Sequence, residues 1–575
     1  MKQIKLLLMA TLVAVGIASC GERKTERERW INYQMEQMTV RQQIAQLFVV
    51  AMHPSAGEAH IERIMTELRD EQIGGVIFTA VSPTRVINLL NQVQAEARIP
   101  LMVSMDAEWG VSMRVDSVIR LPQQLKLGAI QDLRLIYEMG LEIARQCREI
   151  GVHLNFAPVV DVNNNPNNPI ISMRSFGENR YKVTERAYEI MRGMQDGGIL
   201  TTLKHFPGHG DTDLDSHLVL PTIAHDRARL DEIELFPFRE LVRRGATGVM
   251  TAHLLVPALC DENIPVSQSR AVVHDLLVEE MGFQGLIVTD ALEMRGATYN
   301  RDPDRVGLYS LLAGNHILEV PIDVRASITV IEQAIEKGEI ELEFVQNVVR
   351  RVLGVKFDLG LNRGFTPINP DGILERLNTP EAFDLRMRLA EAALTLLVNR
   401  NDILPLHQDL VGTSVRHIEI GQGSAFTQTM NEFAQVNTIN VGYEFTPREL
   451  DAITNDVRNV ETIVISYHHT PNPRRGSFVN FTIDTAIVDF IQNLAERQNV
   501  VLVFFGNPYA IADFTRPELF ASVVVAYDNS AEAQISSARA VFGERAFLGR
   551  LPITINEHFV EDQGIRLIER VAMVP

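Results

Sequence analysis

Beyond residue 40 the chain alternates short, unbroken apolar runs with longer stretches whose apolar residues recur every three or four positions. Eight runs follow this pattern: IAQLFVVAM from Ile44, GGVIFT from Gly74, IPLMVSMD ending at Asp106, GVHLNFAPVVD ending at Asp161, ILTTLKH ending at His205, GVMTAH ending at His253, GLIVTD ending at Asp290 and HILEVP from His316. An apolar run without polar alternation is what a strand buried on both faces requires, and such strands belong to parallel sheets covered by helices. Segments such as LRLIYEMGLEIARQCREIG from Leu133 and AVVHDLLVEEMG from Ala271 have the helical spacing needed between them. Eight β/α units within about 300 residues predict an α/β fold of the TIM (β/α)8-type barrel. Several runs end in an ionisable residue, and the catalytic groups of this fold sit at the C-terminal ends of its strands.

After Leu361 the chain turns loop-rich, NRGFTPINPDG, and a helix then opens with PEAFDLRMRLAEAALTLLVN. Beyond it VRHIEIG, VETIVISY, VVLVFFG and ASVVVAY predict parallel strands with helices between, a second α/β layered domain. The divisions are a barrel over 31–362, a linker over 363–380 and a second domain over 381–575. GQGSAF, following RHIEI, has Phe where the third glycine of a dinucleotide loop would stand, so it reads as a plain βα turn. There is no Walker loop, GxSxG elbow or internal repeat.

The N-terminus has Lys2 and Lys5 before an apolar run from Leu6 to Ala18, short for a membrane span and suited to an export signal. Ile17-Ala18-Ser19-Cys20 resembles a bacterial lipobox. It predicts a signal peptide over 1–19, lipid on the Cys20 thiol, a polar tether over 20–30, and an exported protein anchored on the periplasmic side or the outer-membrane surface. Cys147 and Cys260 remain, too few for a disulfide framework, and read as buried thiols. A net charge of -19 without any basic cluster excludes nucleic acid as a partner.

The densest chemistry lies in KHFPGHGDTDLDSH, Lys204 to His217. Asp211, Asp213 and Asp215 fit the first, third and fifth positions of a calcium loop, but Ser216 stands where glycine is needed and Thr222 where glutamate is needed. His205, His209 and His217 lack HExxH spacing, and Pro207 with two glycines prevents a helix that would align them on zinc. Proton transfer remains: in an extended segment Asp215 and His217 fall on one side of the chain, where a carboxylate can orient an imidazole.

KHFPGHGDTDLDSH closely resembles the signature of the β-N-acetylglucosaminidases of glycoside hydrolase family 3. DAEWGVSMR from Asp106, NFAPVVDVNNNPNNPIISMRSFG from Asn155, MTAHL from Met250 and VTDALEM from Val288 are similar to further segments of that family. AALTLLVNRNDILPL, FFGNPYAIADF and LGRLPITI resemble its C-terminal αβα sandwich domain, so the resemblance runs from residue 31 through nearly the whole chain.

The resemblance implies a retaining exo-β-N-acetylglucosaminidase that needs no metal or other cofactor and releases terminal GlcNAc from peptidoglycan fragments or chitooligosaccharides. Asp290 would be the nucleophile, His217 the acid/base and Asp215 its partner, while Asp106, Arg114, Arg174, Lys204 and His205 would bind the sugar. The implied partners are a GlcNAc-containing glycan and the membrane that takes the lipid anchor; no protein partner is implied. Trp109 departs from the family where a glycine is usual, and His316 departs where an aspartate is usual. The competing readings are a family 3 β-glucosidase, a GlcNAc phosphorylase and a non-catalytic glycan-binding lipoprotein.

Overall fold

Nine short strands, all paired in parallel, form the first half of the chain: β1 (Phe48–Met52), β2 (Gly75–Phe78), β3 (Met102–Met105), β4 (Leu154–Asn155), β5 (Leu200–Thr201), β6 (Leu203–Phe206), β7 (Gly248–Thr251), β8 (Leu286–Thr289) and β9 (Leu318–Glu319). The structure, a computed structural model, describes residues 23–79, 82–216, 218–407, 415–469 and 481–569. One sheet runs β5-β4-β3-β2-β1-β9 and another β6-β7-β8. β5 and β6 are the two parts of the single run ILTTLKH, interrupted at Thr202. Val288 bridges Ile317, and Val159 bridges Lys204, so the two sheets join at both ends into a TIM (β/α)8-type barrel. Each of the eight apolar runs supplies one barrel position.

The surrounding helices owe their closeness to small residues. The helix Leu133–Glu149 is capped by Asp132, whose side chain accepts from Arg134 N, and it buries Ile136, Met139, Gly140, Ile143, Ala144 and Cys147. It lies against the helix Arg180–Asp196 where Gly140 meets Gly193. A Cβ on Gly193 would stand 2.2 Å from the Tyr137 carbonyl oxygen, so the crossing requires glycine. Cys147 is buried in this packing, which pushes its thiol up to about 12, and Cys260 is buried as well.

The second domain is a sheet of six strands in the order β10-β15-β14-β13-β11-β12: β10 (Thr395–Asn399), β11 (Val415–Ile420), β12 (Thr438–Val441), β13 (Thr462–His468), β14 (Asn499–Phe505) and β15 (Ser522–Val525). Along β14, Val500, Leu502 and Phe504 join the core continuous with the barrel, while Val501, Val503 and Phe505 join a separate core under the helices Ser424–Phe433 and Ala531–Val541. Strict alternation thus feeds two helical layers, giving the αβα sandwich.

Two segments differ from the sequence reading. The helix from Pro380 stops at Ala393, and Thr395–Asn399, read as its continuation, is instead β10, paired antiparallel with β15. The polar segment read as a tether over 20–30 is helical from residue 23 onward. This helix extends to residue 37 and packs on the helix Leu342–Asp358, with Ile31 and Met35 buried and the Trp30 ring 6.0 Å from that of Phe357. The export signal and Cys20 lie outside the described residues.

Candidate active site

Strands β3, β6, β8 and β9 deliver charged side chains to one end of the barrel, into a cavity of about 1080 Å³. Asp106 follows β3 and accepts from Arg114 Nη2 at 2.7 Å and Lys204 Nζ at 2.8 Å. Glu108, two residues on, is fully buried; it accepts from Arg174 Nη2 at 2.7 Å and lies 2.9 Å from Lys204 Nζ. Burial alone would raise both carboxyls, but Lys204 with Arg114 holds Asp106 well below the usual range, and Arg174 with Lys204 holds Glu108 at about 2. Against the same burial, the carboxylates Asp106 and Glu108 hold the Lys204 ammonium above its ordinary value. The result is a preformed lattice of alternating charge with donors and acceptors at fixed positions.

Beside it, Asp161 Oδ2 lies 2.7 Å from His205 Nδ1, and Asp161 Oδ1 accepts from the His209 backbone N at 2.7 Å. His205 Nε2 lies 3.4 Å from Arg174 Nη2. Asp290 follows β8, and its Oδ1 accepts from Ala291 N at 2.8 Å. Burial would raise its carboxyl, yet His205, His253, that backbone N–H and Lys204 hold it below its ordinary value. Asp290 thus lines the cavity with its ionised form favoured.

The loop after β6 is held by its own polar residues. Asp211 pairs with His225 Nε2 at 2.6 Å and Asp213 accepts from Asn165 Nδ2 at 2.5 Å, so both of these aspartates serve loop structure. His209 Nε2 contacts Ser216 Oγ at 3.0 Å, and burial pushes the ring down to about 4. Ser216 lines the cavity; Asp215 precedes it, and its backbone carbonyl accepts from Leu218 N and Val219 N, both at 3.0 Å. His217, the expected acid/base, lies outside the described residues.

The second domain closes the opposite wall with His469, Phe481, Asn507, Tyr527, Asp528 and Asn529. It is fastened close by: Lys126 Nζ meets Asp528 Oδ2 at 2.9 Å, and Glu178 accepts from Thr554 N at 2.8 Å. Gly177, at φ 137°, sits so near that a Cβ would fall 2.2 Å from the Pro552 carbonyl oxygen. Trp109, on the barrel side, also lines the cavity, with the Arg120 guanidinium 5.5 Å from its ring centre.

Residues 39–355 match the glycosyl hydrolase family 3 N terminal domain, and residues 394–565 match the glycosyl hydrolase family 3 C-terminal domain. The chain belongs to glycosyl hydrolase family 3. It is an enzyme of the glycoside hydrolase class. A beta-hexosaminidase A from Pseudoalteromonas piscicida is 27% identical over 540 residues, covering 84% of this chain and 89% of that protein. The beta-hexosaminidase LpqI of Mycobacterium tuberculosis is 31% identical over 334 residues, 56% of this chain and 83% of that protein. Among solved structures, the family 3 beta-N-acetylglucosaminidase from Paenibacillus sp. str. FPU-7 superposes with a TM-score of 0.75 at 28% identity, covering 90% of this chain and 99% of that one.

Within this family 3 site the structure brings Asp106, Arg114, Arg174, Lys204, His205 and Asp290 to one cavity. Three participants were not singled out from sequence: Glu108, Asp161 and Glu319. Glu108 shares the strand-end segment of Asp106 at i+2, and Asp161 ends an apolar run, so both carried a local signal. His316 is buried below the cavity, where its Nδ1 accepts from Ile287 N at 3.0 Å and ties β9 to β8.

Proposed function

We propose that the protein is a retaining exo-β-N-acetylglucosaminidase acting on terminal GlcNAc of peptidoglycan fragments or chitooligosaccharides. The observation that carries this reading is the ionised Asp290 carboxylate in a cavity lined by Lys204, Arg174, His205 and Asp106. The names of the relatives agree with it, since they include beta-hexosaminidases and a beta-N-acetylglucosaminidase.

In the proposed reaction the terminal sugar sits in the cavity, its hydroxyls shared among the Asp106 carboxylate, the Lys204 ammonium and the Arg114 and Arg174 guanidinia. Asp290 attacks the anomeric carbon as His217 protonates the departing glycosidic oxygen, giving a covalent glycosyl-enzyme and a free aglycone alcohol. His217, now neutral, takes a proton from water, which attacks the same carbon and releases Asp290 and the β-sugar. Asp215 serves as the carboxylate partner of His217. An imidazole suits the acid/base role because it changes charge near neutral pH without burial.

The test is hydrolysis of p-nitrophenyl N-acetyl-β-glucosaminide beside the matching glucoside. Asp290→Ala is expected to lower kcat by about 10³-fold or more and His217→Ala by about 10²- to 10⁴-fold. Full activity in either variant overturns the assignment, and preference for the glucoside turns it toward a β-glucosidase. Accumulation of sugar 1-phosphate in phosphate buffer would show that phosphate replaces water. We propose the anchored location as well: radiolabelled palmitate should enter the wild-type protein in a bacterial host and be absent from Cys20→Ser.

A further inference from the structure

Glu319, on β9, lines the same cavity with only 5% of its surface exposed. Among the described residues its Oε2 has no hydrogen-bond partner, unlike the carboxylates of Asp106, Glu108, Asp161 and Asp290, each of which accepts a hydrogen bond. Its backbone N–H donates to Thr289 Oγ1 at 3.0 Å and its carbonyl accepts from Leu292 N at 2.9 Å, bonds that fix the strand rather than the side chain. A buried carboxyl oxygen left without a partner in a cavity wall costs stability, and such groups persist where a ligand completes them.

We propose that Glu319 is a sugar-contacting residue, hydrogen-bonding a ring hydroxyl of the terminal sugar and so setting KM. The groups that face it are the Asp106 and Asp290 carboxylates, the Lys204 ammonium and the Arg114 guanidinium, with His53 from the end of β1 lining the same cavity. Burial and then the two neighbouring carboxylates raise its pKa well above its ordinary value, outweighing Lys204 and Arg114. The protonated form of a carboxyl, which this shift favours, has a donor and an acceptor side by side, which is what a sugar hydroxyl can match. Glutamine presents the same pair and leucine presents neither.

The proposal rests on the glycosidase reading above and is tested by kinetics of wild type, Glu319→Gln and Glu319→Leu. The substrates are p-nitrophenyl N-acetyl-β-glucosaminide and its 3-deoxy, 4-deoxy and 6-deoxy counterparts. Glu319→Leu should raise KM about tenfold while kcat stays within about twofold, and Glu319→Gln should keep KM within about threefold. For one deoxy substrate, the penalty shown by wild type should vanish in Glu319→Leu, because the group that met the missing hydroxyl is gone. The Tm of Glu319→Leu should equal or exceed that of wild type, since an unpaired buried carboxyl has been removed. Unchanged KM in Glu319→Leu, or equal deoxy penalties in both enzymes, overturns the proposal; so does a lowered Tm with parallel loss of kcat in both variants, which is the mark of a structural role. If wild type cleaves none of these substrates, the glycosidase reading fails by itself. Calorimetric binding of N-acetylglucosamine then decides Glu319 separately, supporting the proposal if Glu319→Leu weakens it about tenfold and overturning it if the affinity is unchanged.

Discussion

Glu108 shows how a single residue holds this site in shape. It carries no assigned reaction step, yet it is the shared acceptor for Arg174 and Lys204 and is itself fully buried. Replacing it by alanine would leave two cations with one anionic neighbour fewer, and breaking a buried ion pair from one side costs about 3–5 kcal/mol. Glu108→Ala should therefore lower the urea midpoint steeply and raise KM, because Arg174 and Lys204 lose their fixed positions; an unchanged midpoint contradicts the role given to it. Asp106, Arg114, Arg174, Lys204, His205 and Asp290 were legible in the sequence because each stands in a long, specific segment. Glu319 was not, because its meaning comes from Asp106 and Asp290 on other strands, and local spacing does not report a neighbour across a barrel.

At the scale of elements, the close crossing of Leu133–Glu149 and Arg180–Asp196 sets two effects against each other. Alanine in place of a mid-helix glycine gains about 1 kcal/mol from propensity. At Gly193 the added Cβ meets the Tyr137 carbonyl oxygen at 2.2 Å and the Gly140 Cα at 3.0 Å, and backbone does not yield as a side-chain end would. Overpacking of this kind costs about 1–3 kcal/mol, so Gly193→Ala should lower the Tm by a few degrees, and a rise would show that the helices can part. Most strands were readable because a strand buried on both faces is nearly all apolar. β10 was not: TLLVN continues the spacing of the helix before it without a polar break, and only its pairing with β15 makes it a strand. β12 was missed because three of the four residues of TINV are not fully buried and give no apolar run.

For the whole molecule, pH acts through buried histidines. Burial lowers His153 and His209 from 6.5 to about 4, and His316 and His417 to about 3. Folded values below the unfolded one mean that the unfolded chain binds more protons once pH falls below about 6.5. Their contribution is therefore full above that pH and is lost as pH falls toward 4 and then 3. Four such groups remove on the order of 5 kcal/mol between pH 7.5 and pH 5.5, offset in part by Glu319, whose raised pKa works in the opposite direction. Calorimetric Tm values should fall over that interval, and a flat profile would contradict the burial of these rings in a neutral state.

The cavity wall built from Tyr527, Asp528 and Asn529 follows β15 directly, and among the described residues β15 is the strand that pairs with β10 in its sheet. During synthesis the charged end of the barrel is therefore complete long before the wall that faces it. A nascent chain halted anywhere before residue 522 would display Asp106, Lys204 and Asp290 to water without that enclosure. Maturation of the site is thus tied to a segment synthesised well after the barrel.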